Sequence, residues 1–216
     1  MDVVLIHGMG RTPLSMMRLH RRLRRAGHNP ILFGYSPTFE TLQGATGRLV
    51  RRIERRADTA QYALVGHSLG TVLIRSALGR LQDRMTAACF FLAPPMVACK
   101  AAKFFSRFWL YKVLAGEMGQ FLAVDTFMQR LPMPPTFTRI YAGTGGPRAR
   151  WLPFGMEAND LILSVAEATG SFKALSVEVP ALHTFIMHSA QVHDDIIRSL
   201  AKLEQTARPG QSSGQA

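Results

Sequence analysis

Apolar and polar positions come in alternating blocks along this chain. Short apolar runs bounded by turn residues are followed by longer stretches with helical spacing. Val3 to Ile6 ends at His7-Gly8 and predicts a buried strand. Leu14 to Ala26 predicts a helix, closed by Gly27 at the position after its C-cap. Ile31 to Phe33 is the next strand, and Thr41 to Ala57 a basic amphipathic helix. Tyr62 to Val65 reads as a strand, Leu69 to Leu81 as a helix, and Ala88 to Leu92 as a strand. Thr138 to Ala142 and Leu175 to Val179 bring the strands to six. Leu161 to Ala168 predicts a short helix and His188 to Leu203 a final one. Strands separated by helices predict an α/β fold: a mostly parallel sheet of about six strands, with right-handed crossovers and helices on its faces.

One stretch breaks the alternation. Pro94 to Pro135 carries Phe104, Phe105, Phe108, Trp109, Leu110 and Tyr111, then Phe121, Leu122, Phe127, Met128 and Leu131. The spacing suggests two amphipathic helices inserted between strands, a helical cap over about 95–135. An aromatic stripe of this kind serves either as core or as an apolar surface for an acyl chain. The polar, Gly- and Pro-containing end, 207–216, reads as a disordered tail beyond one domain spanning 1–206.

Composition narrows the picture. At 216 residues, 47% hydrophobic and 19% charged, the chain can bury one full core. No apolar run reaches the length of a membrane span, since Phe104 to Leu114 is short and interrupted by Arg107 and Lys112. Met1 is followed by acidic Asp2 rather than a basic leader, so the chain reads as cytoplasmic. Cys89 and Cys99 form no disulfide framework, and Cys89 sits in an apolar run that predicts a buried thiol.

The net charge is +12, much of it arginine in two blocks. Arg18, Arg21, Arg22, Arg24 and Arg25 form the first, and Arg48, Arg51, Arg52, Arg55 and Arg56 the second. They read as solvated helix faces or as a surface that attracts anionic lipid or another polyanion, with peripheral contact to an anionic membrane as the corresponding expectation. There is no helix-turn-helix, zinc spacing or aromatic-basic ribonucleoprotein motif. No nucleic-acid partner, metal or cofactor is expected.

The candidate chemistry centres on Gly66-His67-Ser68-Leu69-Gly70, which joins a strand to a helix. A serine at such an apex has a strained backbone. Its hydroxyl stands above the sheet at a helix N-terminus, and flanking glycines let strand and helix close tightly. A serine hydroxyl needs a base, normally a histidine oriented by a carboxylate. His7 and His67 sit inside tight turns and are placed to buttress the site. His20 and His28 lie on or just after a basic helix, upstream of the serine. His188 and His193 fall in the final helix, where a solvated or half-buried ring is the default. His183 follows the last strand and is the favoured base. Asp160 is the favoured acid, with helix capping as its other reading and Glu157 as runner-up. Asp125, Asp194 and Asp195 are poorly placed in chain order. The oxyanion of a tetrahedral intermediate needs backbone donors. The Leu69 N–H is one candidate, and the Met9 N–H of His7-Gly8-Met9-Gly10 the other.

Taken together, these motifs resemble the α/β-hydrolase superfamily, above all its small bacterial lipase-like and esterase-like members. The resemblance runs from Asp2 to about Leu203. It implies a triad of Ser68, Asp160 and His183, oxyanion donors at Met9 and Leu69, and an acyl-enzyme mechanism on a carboxylic ester. Two departures stand out. The chain begins at what would be the third strand, without the usual leading hairpin. Leu161-Ile162-Leu163 follows the acid where related chains often carry a glycine and a valine. The expected activity is a serine hydrolase on a small-molecule or lipid ester with an apolar acyl part. The alternatives are a thioesterase, amidase or acyltransferase with the same triad, or a non-catalytic basic surface-binding protein of the same fold.

Overall fold

The structure, a computed structural model, describes residues 1–55, 61–81, 86–105 and 116–206, with 103–105 by their backbone alone. Six parallel strands form one sheet in the order β2-β1-β3-β4-β5-β6. They are β1 (Asp2–Ile6), β2 (Asn29–Phe33), β3 (Tyr62–His67), β4 (Thr86–Leu92), β5 (Phe137–Gly143) and β6 (Ser176–Val179). The helices are α1 (Met17–Arg25), α2 (Leu42–Glu54), α3 (Leu69–Leu78), α4 (Lys100–Phe105), α5 (116–121), α6 (Asp125–Arg130), α7 (Val165–Thr169) and α8 (Ala190–Thr206).

The central strands are apolar throughout because both faces of the sheet are covered, as parallel sheets require. Successive side chains go to opposite faces. Val3, Leu5, Ala63, Val65, Ala88, Phe90 and Leu92 meet α1 and α8, whose Leu19, Leu23, Val192, Ile196 and Leu200 complete that core. Val4, Ile6, Leu64, Cys89 and Phe91 meet α2 and α3 through Leu42, Leu49, Val72 and Leu73. The two arginine blocks, on α1 and α2, therefore lie on opposite sides of the sheet. They cannot form one surface.

Several boundaries differ from the expectation, three of them near the site or the termini of helices. The first helix opens with a 3-10 turn, Pro13–Met16, before α1. His188 lies in a 3-10 turn, Ile186–His188, rather than in the final helix. The helix expected from Leu161 starts only at Val165. Its N-cap is Ser164, in a capping box with Glu167, and Leu161 stands at φ +83°, incompatible with a helix start.

The stretch between β4 and β5 holds α4, α5 and α6. In its described part Met118, Leu122 and Met128 are fully or nearly buried against the α2–α3 core. Phe121 and Phe127 stack at 4.5 Å and pack on the same cluster. Here the stripe is core, the plainer of its two readings. Phe108, Trp109, Leu110 and Tyr111, the side chains of Phe104 and Phe105, Arg56, and the expected tail at 207–216 lie outside the described residues. Among the described residues, no helix is long and apolar enough to cross a membrane.

Candidate active site

Parallel strands leave their C-terminal ends on one edge of the sheet, and the loops from β1, β3, β5 and β6 converge there. The turn from β3 to α3 carries Ser68 at φ +49° and ψ −118°, a conformation L-residues rarely adopt. Packing holds it there. A Cβ on Gly70 would lie 2.6 Å from the carbonyl oxygens of both Ile6 and His7. One on Gly66 would lie 2.9 Å from backbone atoms of Gly70 and Thr71. Only glycine lets α3 approach β1 and β3 this closely. The turn is also tied by hydrogen bonds. Ser68 N–H donates to the Leu92 carbonyl at 2.9 Å, and the Thr71 amide and hydroxyl donate to the Ser68 carbonyl.

The loop after β6 brings His183 over the serine. His183 Nε2 lies 2.9 Å from Ser68 Oγ, and its Nδ1 lies 2.8 Å from Asp160 Oδ2. Residues 115 and 23 positions apart thus meet in series. Asp160 is nearly inaccessible to solvent, so its charge is held by hydrogen bonds. Oδ1 accepts from the amides of Ile162 (3.0 Å) and Leu163 (2.7 Å), leaving Oδ2 for the histidine. The helix-capping reading of this aspartate fails, since α7 starts later and is capped by Ser164. Oδ1 closes a turn ahead of the helix, and Oδ2 meets the His183 ring. The backbone repeats the link, since His183 N–H donates to the Asp160 carbonyl at 2.9 Å.

The neighbouring histidines pack rather than join the series. His67 is fully buried, and its Nε2 donates to the His183 carbonyl at 2.9 Å. Burial, then the nearby His183 ring, push its pKa well below 6.5, so the ring stays neutral. His7 stacks on Tyr35 at 4.5 Å, and the Tyr35 hydroxyl donates to the His7 carbonyl at 2.9 Å. That bond pins the loop carrying Gly8 and Met9. A Cβ on Gly8 would come within 3.1 Å of the Ser68 Cβ, so the loop lies directly against the serine. Leu69 is the first residue of α3, where a helix leaves its amides without internal partners.

The competing candidates are elsewhere. Glu157 is exposed and lies 3.9 Å from Lys100. Asp194 pairs with Arg22, and Asp195 accepts from the Tyr141 hydroxyl at 2.8 Å. His193 is fully buried, against the expectation of a solvated or half-buried ring, and its Nε2 donates to the Met187 carbonyl at 2.8 Å. His28 is also buried, 3.4 Å from Glu204.

Two positions escaped sequence reasoning. Buried Arg75 of α3 donates to the carbonyls of Leu131 (2.5 Å) and Pro132 (3.1 Å), tying the end of α6 to the helix behind the serine. Burial pushes its pKa down to about 10. An arginine inside an apolar helical run, Val72 to Leu78, was the available signal. Buried Glu167 accepts from the amides of Ser164 (2.9 Å) and Lys100 (2.7 Å), joining the acid loop to the start of α4. Among the described residues, no group of His, Cys, Asp and Glu side chains is arranged to hold a metal.

Comparison with known proteins gives a consistent frame. The sequence profile of the alpha/beta hydrolase family matches residues 3–209. No curated protein matches significantly by sequence. Among solved structures, the chain is similar to the mature lipase BlEst2 of Bacillus licheniformis, with a TM-score of 0.71 and 16% identity over 92% of this chain and 91% of that one. It is also similar to a monoacylglycerol lipase of Paleococcus ferrophilus, with a TM-score of 0.66 and 15% identity over 94% of each chain. A third similar structure is the RedJ thioesterase of the prodiginine biosynthetic pathway in Streptomyces coelicolor. Its TM-score is 0.62, with 14% identity over 94% of this chain and 85% of that one. At these identities the likeness is one of fold.

Proposed function

This chain belongs to the alpha/beta hydrolase family, and from that premise we propose that it is a serine hydrolase cleaving carboxylic esters through an acyl-enzyme. The observation that carries the reading is the unbroken series Ser68 Oγ, His183 ring, Asp160 carboxylate, at 2.9 and 2.8 Å. Ser68 Oγ attacks the ester carbonyl and passes its proton to His183 Nε2. Asp160 Oδ2 accepts from Nδ1–H, which keeps Nε2 free as the base and stabilises the imidazolium that forms. The carbonyl oxygen becomes an oxyanion, taken by the N–H groups of Leu69 and Met9. His183 then protonates the leaving alcohol, and the ester bond to it breaks. Water, deprotonated by His183, attacks the acyl-serine, releases the acid and restores Ser68.

Lipase relatives in fold suggest small-molecule or lipid esters as substrates. The remaining aromatics of the stripe between β4 and β5, at 104–111 in the sequence, suggest an apolar acyl part. A fluorophosphonate probe should label the protein on Ser68 and fail to label Ser68→Ala. p-Nitrophenyl esters of graded chain length should be turned over by the parent and not by that variant. Labelling that survives in Ser68→Ala would overturn the nucleophile. Turnover of acyl thioesters without any ester hydrolysis would overturn the choice of bond.

A further inference from the structure

The two basic helices carry similar numbers of arginines, and those of α2 line a cavity. On α2, Arg48, Arg51, Arg52 and Arg55 stand at i, i+3, i+4 and i+7, a single helical face. That face looks across Leu32, Phe33 and Gly34, at the end of edge strand β2. Between them is a cavity of about 340 Å³, walled by the four arginines. The volume is at the lower end of the range for small-molecule sites.

One wall is already fixed. Arg48 donates to Glu40 at 3.0 Å and to the Gly34 carbonyl at 2.8 Å, with its guanidinium carbon 5.4 Å from the Phe33 ring centroid. Arg51, Arg52 and Arg55 are exposed, and among the described residues none is paired with a carboxylate. Within the face, Arg48–Arg52 and Arg51–Arg55 are like-charge pairs at i, i+4, a spacing that destabilises a helix. The opposite face, with Leu42, Ala45, Leu49 and Ile53, is buried and anchors the helix against that repulsion. On α1 likewise one arginine, Arg22, is paired with a carboxylate, that of Asp194.

We propose that the α2–β2 cavity is a binding site for a multiply charged phosphate group. Guanidinium forks match phosphate oxygens two at a time, and a concave site with three guanidiniums that have no carboxylate partner among the described residues favours a polyanion over a single carboxylate. Such an anion would also relieve the repulsion within the helix. The site is on the flank of the sheet and is independent of the hydrolase reading. The group can arrive as a soluble phosphate or as the headgroup of a phosphatidic acid membrane.

Titration calorimetry with inorganic pyrophosphate at about physiological ionic strength should give saturable one-to-one binding and a raised Tm. Arg51→Gln with Arg55→Gln should cut affinity at least about tenfold while raising the Tm of the unliganded protein, because repulsion is removed. Arg21→Gln with Arg25→Gln removes the same charge from α1 and should leave affinity within about twofold, since screening weakens charges at that distance. Vesicles of phosphatidylcholine with and without phosphatidic acid locate the source. Co-sedimentation that requires phosphatidic acid and is lost in the α2 variant assigns a headgroup. Pyrophosphate binding without co-sedimentation assigns a soluble phosphate. No saturable pyrophosphate binding, or equal loss in both double variants, would overturn the site.

Discussion

The elbow around Ser68 and the loop after Asp160 each hold a residue at positive φ, and they hold it by different means. At Ser68 the strain is fixed by packing. Backbone atoms of β1, β3 and α3 come so close that only glycine fits at 66 and 70. Leu161, at φ +83°, is 50% exposed. Hydrogen bonds hold it instead. Asn159 Oδ1 accepts from the Leu161 amide at 3.1 Å, and Asp160 captures the next two amides. Strain set by packing leaves obligatory glycines in the sequence. Strain set by hydrogen bonds leaves only an Asn-Asp pair, which occurs in many turns.

The largest effect should come from Asp160→Asn. The asparagine oxygen can still accept from Ile162 and Leu163, so the loop should persist. Its amide nitrogen would then face His183 Nδ1 and favour the wrong tautomer, lowering kcat by roughly 10⁴. Circular dichroism beside ester kinetics separates the two roles of this carboxylate. A variant that unfolds, or one within tenfold of parent activity, would mean the aspartate serves the turn alone.

Next in size is Gly70→Ala. The new Cβ would meet two backbone carbonyls, which cannot rotate away, so α3 must separate from β1 at a cost of about 3 kcal/mol. Urea melts should show it. A cost under about 1 kcal/mol would mean the elbow is not held by packing.

A smaller effect is the dependence of stability on pH. Burial lowers the pKa of His7, His67 and His193, each from an ordinary value of 6.5. Below 6.5 the unfolded chain takes up protons that these folded rings refuse. Their contribution is therefore complete above that pH and is lost as pH falls, by up to about 1.4 kcal/mol per unit for each ring. His67→Gln keeps a donor for the His183 carbonyl and removes one titrating group. Unfolding free energies at pH 7.5, 6.5 and 5.5 should fall less steeply in the variant. Parallel curves would show that His67 titrates alike in both states.

The smallest effect should be a gain. Leu161→Gly relieves a left-handed residue that costs about 1–2 kcal/mol, against about 0.5–1 kcal/mol of added chain entropy. The Tm should rise by a few degrees with ester turnover unchanged. A loss of stability would show that the half-exposed leucine packs against something that outweighs its backbone strain.

How much was legible follows the same division. All six strands and the elbow could be read along the chain, as could the chain order of Ser68, Asp160 and His183, which the fold brings together. Strand faces are set by alternation, and the elbow by glycines within two residues of the serine. The start of α7 was misread because Leu161 to Leu163 look helical by hydrophobicity, while Asn159 and Asp160 hold their amides in a turn and the cap is Ser164. His193 was misjudged because its carbonyl partner is in a 3-10 turn that periodicity does not mark.

By itself, then, the sequence determined what local sterics and period decide: a parallel α/β sheet and a serine at the turn into a helix N-terminus. Only the tertiary structure decided what depends on contacts between distant segments. It brought Asp160 and His183 into line with Ser68, buried Arg75 against the end of α6, and set the arginine blocks on opposite sides of the sheet. The physical reason is range. A glycine's freedom or an apolar alternation acts within a few residues. A hydrogen bond across 115 residues exists only once the strands between them have paired in register.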